Sequence, residues 1–265
     1  MNIIVCIKQV PSTSEVNIDE KTGSLIRSGI DAKMNPYDLF AIETALQIKQ
    51  SREAKIIALT MGPPQAEEII REAFMMGADE GYVLSDRRLA GADVLATAYA
   101  LSQCVLKIGL PDLIICGKQT TDGDTAQVGP EIAEFLDIPH ITNVFRIEDL
   151  NEQTMTVSAD LPGTVETAAV SLPALISVEK DIYQPRLPSY RLKRSTGQKK
   201  VVFYRLDDLP DSDERHYGLA GSPTRVVRVF PPEKDQANEF WEGSPDELAK
   251  KLAQSLIDWK FVEEA

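Results

Sequence analysis

Along the chain, short continuous apolar runs alternate with longer stretches in which apolar residues recur every three or four positions. The runs read as buried strands and the periodic stretches as helices with one apolar face. Ile3 to Ile7 is the first run, and Lys8-Gln9-Val10-Pro11 ends it where proline can no longer serve a central ladder. A short polar hairpin is predicted next, with Val16, Ile18, Leu25 and Ile26 flanking a Lys21-Thr22-Gly23 turn. Asn35 then reads as a helix cap with Pro36 at the first helical position, ahead of the stripe Leu39, Ile42, Ala45 and Leu46. Ala54 to Thr60 is a second buried strand, and Met61-Gly62-Pro63-Pro64 turns into a helix over 65–76 that Gly77 stops. Tyr82 to Leu84 leads through SDRRLAGAD to a long helix, Val94 to Ile108, capped by Asp93. Leu113 to Cys116, the polar loop Gly117 to Pro130 and the pattern Val128, Ile132, Ala133 and Leu136 make a further unit, its helix starting near Thr125. Repeated strand-then-helix units predict an α/β fold, a doubly wound parallel sheet with right-handed crossovers.

Beyond His140 the rhythm changes to strand-like pieces, Met155 to Ala159, Val165 to Leu172 and Ala174 to Val178, without long helices between them. From Asp181 to Arg205 seven Lys or Arg residues accompany Asp181 as the single acid, and Pro185, Leu187, Pro188 and Tyr190 sit inside that stretch. A charge run is ordinarily a solvated loop, but apolar anchors ringed by charge suit docking to a partner. Past two sparse stretches around Gly221 to Pro232, Ser244-Pro245-Asp246-Glu247 forms a capping box that launches Leu248, Leu252, Leu256 and Trp259 along one helix face. The expected division is a main domain over 1–217, with a docking loop at about 183–194, and a C-terminal arm and helix over 218–265.

Composition narrows the chemistry. The 265 residues are 43% hydrophobic and 26% charged, with no apolar run long enough to span a bilayer, so no membrane insertion is expected. The start, MNIIVCIKQVP, has neither a basic leader nor a small-residue cleavage site, which predicts a cytoplasmic location. A net charge of −13 argues against nucleic acid as a partner. Cys6, Cys104 and Cys116 lack CxxC spacing, and His140 and His216 are the only histidines, so neither a disulfide nor a metal site is expected. No GxSxG elbow supports a hydrolase triad.

The most informative stretch is GKQTTDGDTAQVGP, Gly117 to Pro130. It lies at the carboxyl end of a predicted strand, the edge where open parallel sheets bind ligands, and a helix start there points unpaired N–H groups at an anion. Asp122 and Asp124 complicate this, because either can cap the helix and their charge opposes a phosphate. A capped turn without a ligand is the plain alternative.

CIKQVP, the MNPYDL helix start, MGPPQAEEIIREAFMMGADEG, GKQTTDGDTAQVGP and RLPSYRLK follow one another in an order and spacing that resemble the beta subunit of electron-transferring flavoproteins over essentially the whole chain. The resemblance implies an adenine nucleotide alpha hydrolase-like sheet whose crevice holds AMP or the ADP half of a second FAD. Its nucleotide contacts carry over to Cys6, to Asn35, Pro36, Tyr37 and Asp38, to Met61, and to Gly117, Lys118, Gln119, Thr120, Thr121, Asp122, Gly123, Asp124, Thr125, Ala126, Gln127 and Val128. On that reading the N–H groups of 123–128 and the Thr125 hydroxyl meet the phosphates, adenine lies between the first loop and Met61, and Asp122 and Asp124 are a loop tie and a helix cap. The stretch LAGADVLATAYAL resembles electron-bifurcating members and adds Gly91, Asp93 and Thr97, which there help to place FAD and admit a nicotinamide nucleotide. RLPSYRLK becomes a recognition loop, with Leu187 as anchor and Arg186, Tyr190, Arg191, Lys193 and Arg194 around it.

The function so implied is that of a subunit not catalytic alone. It shares FAD with an alpha subunit, accepts a hydride from NADH, and splits the electrons between ferredoxin and a flavin dehydrogenase of acyl-CoA or lactate type. One alternative is a non-bifurcating carrier with a structural AMP, exchanging electrons with an acyl-CoA dehydrogenase. Another, of a different class, is a nucleotide-binding regulatory protein without redox work.

Overall fold

The computed structural model describes residues 1–12, 32–227 and 239–262, so the hairpin expected around Lys21 to Gly23 lies outside the described residues. The chain forms two compact units, Met1–Arg228 and Val229–Ala265. The expected boundary at 217 therefore falls inside the first unit, because Ser222 and Thr224 are hydrogen-bonded to Asp93.

In chain order the first unit contains β1 (Asn2–Cys6), β2 (Gln9–Pro11), β3 (Ala32–Met34), α1 (Pro36–Ser51), β4 (Lys55–Met61), α2 (Glu67–Met76), β5 (Glu80–Leu84), α3 (Val94–Ile108), β6 (Leu113–Gly117), α4 (Val128–Phe135), β7 (His140–Leu150), β8 (Thr154–Leu161), β9 (Thr164–Ser171), β10 (Ala174–Val178), α5 (Tyr190–Thr196) and β11 (Val202–Tyr204). The main sheet runs in the order β11-β5-β4-β1-β6-β10-β7-β8-β9, parallel from β11 to β7, with β8 and β9 added antiparallel. β2 and β3 pair separately.

The central strands are apolar on both sides because both faces are covered. Ile3, Val5, Ile56, Ala58, Leu113 and Ile115 meet α1 and α2 residues such as Ile42 and Phe74. Their alternates Ile4, Cys6, Ile57, Leu59, Ile114 and Cys116 meet α3 and α4 residues such as Leu101 and Ile132. This is the doubly wound arrangement expected from the sequence.

Three local expectations need correction. The Asn35 side chain makes no cap bond to a backbone N–H of α1, and that helix is buried on more than one side, including Asp38, Glu43 and Thr44, so it carries no simple apolar stripe. β7 was not legible, since register shifts between Val144 and Arg146 and between Ile147 and Asp149 break the alternation that marks a strand. Within the basic stretch, the docking loop contains a short helix, α5, and the edge strand β11 follows it.

The second unit contains α6 (Pro245–Asp258), with Pro245 in its first turn. Glu247 accepts hydrogen bonds from the Ser244 backbone N–H at 2.9 Å and from its hydroxyl at 2.8 Å. Lys251 lies over the Trp241 ring, while Leu252 and Trp259 stay exposed.

Candidate functional site: the crevice between β1 and β6

From β1 the chain moves outward through α1 to β4 and then through α2 to β5, and α3 brings it back to β6 on the other side of β1. The crossovers on either side of the β1–β6 junction lie on opposite faces, which opens a crevice at the carboxyl ends of these strands. Cys6 and Cys116 are register partners at its floor. A hydrogen bond with Cys6, together with burial, pushes the Cys116 thiol well above its usual pKa.

The loops above it are knitted from below by the start of α1. Asp38 accepts from the Lys8 backbone N–H at 2.7 Å and from Asn35 Nδ2 at 2.9 Å. Asn35 Nδ2 also donates to the Gln119 carbonyl at 2.9 Å, and its Oδ1 accepts from the Thr121 N–H at 3.3 Å. Both side chains are buried. They hold the loops after β1 and β6 together and leave no free polar atom at the rim, so the contact role expected for them becomes a positioning role. Burial pushes the Asp38 carboxyl up to about 7, opposed by its bonds to Asn35 and to the Lys8 N–H. Gly117 is required here: a Cβ on it would lie 2.5 Å from Asp38 Oδ1 and 2.7 Å from the Tyr37 carbonyl carbon.

A second tie crosses the crevice. Lys8 Nζ meets Asp122 Oδ1 at 2.8 Å; burial pushes the Asp122 carboxyl up, but the bond and charge of Lys8, together with hydrogen bonds from Thr120 and the Asp122 backbone, lower its pKa on balance. Lys8 was absent from the expected site. The sequence offered only its place in the first strand-end loop, and its partner was decided by the tertiary structure. Asp122 is thus a loop tie.

Asp124 is not the helix cap expected. It has φ 54° and accepts from Gln119 Nε2 at 2.7 Å, while α4 begins at Val128 with Gln127 before it and no side-chain cap bond. Ala126, at φ 58°, is a second left-handed residue, so the chain from Gly123 to Gln127 turns without regular bonding. Among the described residues, nothing accepts from the backbone N–H groups of Thr125, Ala126, Gln127 or Val128. Thr125 itself is exposed. Unspent N–H groups at a helix start, beside left-handed residues, form a cradle suited to phosphate oxygens.

Gly91, Asp93 and Thr97 lie at the start of α3. Asp93 caps that helix by accepting from the Ala96 N–H at 3.1 Å, and its other oxygen accepts from the Thr224 N–H and hydroxyl at 2.9 and 2.7 Å. Gly91, at φ 76°, lies against Leu219. This segment is occupied in fastening residues 219–224, a tie with no signal in the sequence pattern. On α4, one carboxylate oxygen of Glu131 is buried without a partner. Burial, and then the nearby Asp93 charge, push the Glu131 pKa up.

Comparison with known proteins agrees with this architecture. Residues 22–209 match the electron transfer flavoprotein domain. The chain is 43% identical to the electron transfer flavoprotein subunit beta of Thermoanaerobacterium thermosaccharolyticum, over 97% of its own length and 98% of that protein. It is 42% identical to the subunit of the same name from Megasphaera elsdenii, over 99% of this chain and the whole of that one. It is 40% identical to the caffeyl-CoA reductase-Etf complex subunit CarD of Acetobacterium woodii, again over 99% of this chain and the whole of that one. The chain belongs to the electron transfer flavoprotein family. Electron transfer is therefore its broad role, and the reading without redox work is set aside.

The residues expected in the docking loop are mostly exposed. Leu187 and Tyr190 are 87% and 74% exposed. Arg191 and Arg194 line, with Tyr190 and Ser195, a shallow surface recess beside them, and Lys193 is exposed on the same short helix. Arg186 departs from the expected rim: it turns inward onto the buried carboxylate of Glu43. Among the described residues, no helix is long and apolar enough to cross a membrane.

Proposed function

We propose that this chain is the beta subunit of a heterodimeric electron transfer flavoprotein and that its β1–β6 crevice binds the ADP portion of an FAD shared with an alpha subunit. The observation that carries the reading is the run of unspent N–H groups from Thr125 to Val128, held open by left-handed residues at the carboxyl edge of the sheet. The chain's own donors fit a nucleotide diphosphate: N–H groups and the Thr125 hydroxyl face outward, and Lys8 blunts the Asp122 charge. In this reading Met61, half-buried at the end of β4, lies beside adenine, and Gln127 and Val128 face the phosphates.

When bound, the flavin would supply the chemistry: hydride acceptance from NADH and release of electrons one at a time. The protein's part is to position it over a floor that includes Cys6 and Cys116, and to present Leu187 to a flavin dehydrogenase. Bifurcation, with ferredoxin as the second acceptor, is supported by the LAGADVLATAYAL stretch. A relative named as part of a caffeyl-CoA reductase complex supports an acyl-CoA-type dehydrogenase as the partner over a lactate-type one. The exposed apolar face of α6 suits docking on the alpha subunit.

Cofactor extraction from the purified alpha–beta pair tests the reading. Two FAD per pair is the expected result. One FAD with one AMP would assign the crevice to a structural nucleotide and the protein to simple carriers, and a pair with no adenine nucleotide in this subunit would overturn the crevice assignment.

A further inference from the structure

We infer that Glu43 and Arg186 form a latch that presents Leu187 to the partner, so that Arg186 is a positioning residue and not part of the contact surface. The inference rests on the docking role proposed for the loop. Glu43 lies on α1, five residues after the Asp38 that ties the crevice loops. Its side chain is 2% exposed, and Arg186 reaches it three times, through the backbone N–H at 3.1 Å, Nε at 2.8 Å and Nη2 at 2.7 Å. Gln47 donates to the same carboxylate at 2.7 Å. Burial works against the Glu43 charge, but these donors together outweigh it and leave its pKa below the usual value.

The opposite side of Leu187 is fastened as well. The Ser189 N–H donates to the Met75 carbonyl in α2 at 2.9 Å, and the Ser189 hydroxyl accepts from the Leu192 N–H at the start of α5. Only Leu187 and Pro188 lie between the two attachments. A largely exposed leucine is thus held on a short, doubly anchored span. Its exposure follows from the anchoring, because a free loop would fold an apolar side chain back onto the protein surface. A loop ordered before binding loses less conformational freedom on docking, which favours recognition by a single apolar anchor. A bidentate guanidinium–carboxylate pair suits this purpose, since it fixes direction as well as distance.

The same α1 helix therefore carries the crevice tie in its first turn and the loop latch one turn further on. The nucleotide-facing edge and the docking loop share one rigid strut.

Hydrogen exchange and limited trypsin cleavage of the alpha–beta pair test the latch. The double variant Glu43→Gln with Arg186→Leu removes both charges and so leaves neither ion buried alone. Cleavage after Arg191, Lys193 or Arg194 should rise about tenfold, amides of 187–196 should exchange faster, and amides of β1, β4 and β6 should keep wild-type rates. The conservative Arg186→Lys should recover part of the protection. Wild-type cleavage and exchange in the folded double variant would overturn the latch, as would a uniform acceleration across the sheet, which marks a general stabilising pair. Should the double variant fail to fold, Glu43→Gln alone keeps the size and one acceptor oxygen, and unchanged loop exchange there overturns the inference equally. None of these readouts depends on the dehydrogenase, so a failed docking reading shows separately, in electron delivery by Leu187→Ala.

Discussion

At the β1–β6 crevice the Asn35 and Asp38 side chains are spent inward and backbone N–H groups stay unspent, whereas at the loop around Leu187 the backbone is fastened and a side chain stays exposed. Asn35 and Asp38 are buried and fully bonded beneath the crevice, and the N–H groups of Thr125 to Val128 are what remains outward. At the loop, Arg186 and Ser189 are anchored and Leu187 projects. The contrast suits the two kinds of guest proposed above. A phosphate is recognised by several N–H groups in fixed positions, which requires a backbone shaped from below. A protein partner is recognised by an apolar anchor filling a pocket, which requires one side chain kept out of its own core.

The sharpest way to break the crevice half of this comparison is Gly117→Ala. Its Cβ would collide with Asp38 and the Tyr37 backbone, neither of which has room to move. A cost of about 3 kcal/mol is expected, read as a melting temperature lower by roughly 10 °C, with nucleotide retention lost alongside. An unchanged melting temperature would mean that the α1 tie is soft. Thr125→Glu attacks the recognition step while sparing the shape. Adding charge and bulk where phosphate should lie is expected to weaken adenine-nucleotide retention on the order of 100-fold without changing the melting temperature. Full occupancy in the folded variant removes the phosphate assignment.

For the docking half, Leu187→Ala should slow electron delivery to the dehydrogenase by about 30-fold, the equivalent of ~2 kcal/mol for a well-filled anchor, while reduction by NADH keeps its wild-type rate. Stopped-flow measurement of each half-reaction separates the two, and an equal slowing of both would move Leu187 from docking to flavin support.

The last expected effect is a pH dependence confined to the crevice. The folded pKa of Asp38, about 7, lies above its ordinary value of 3.8, so the folded chain holds this proton more tightly. The associated stability is complete below about pH 4 and is lost as pH rises through 7. Between about pH 5 and pH 8, wild type should therefore lose melting temperature relative to Asp38→Asn. Parallel curves would show that the donors from Lys8 and Asn35 keep Asp38 ionised throughout.

The sequence by itself determined the α/β class and the order of the main-sheet strands and helices as far as α4, but not the small β2–β3 pair. These depend on local periodicity and on Gly and Pro punctuation, which act within a few residues. It also singled out Leu187, which is exposed, since an apolar residue inside a charge run stands out without knowledge of its neighbours. What it misjudged depended on distant partners. Asn35 has the chemistry of a helix cap, yet it bonds Gln119 and Thr121 because loops remote in sequence meet beneath the crevice, while Asp124 turns back on Gln119 within its own loop. Lys8 gained a role only through Asp122, 114 residues away, and Arg186 lost its rim role only through Glu43, 143 residues away. β7 escaped because bulges shift its faces out of period. Local pattern decides which element forms, but a polar side chain can satisfy its hydrogen bonds in several ways. Only the packed fold, by removing water from around Asp38 and Glu43, decided which partner each would have.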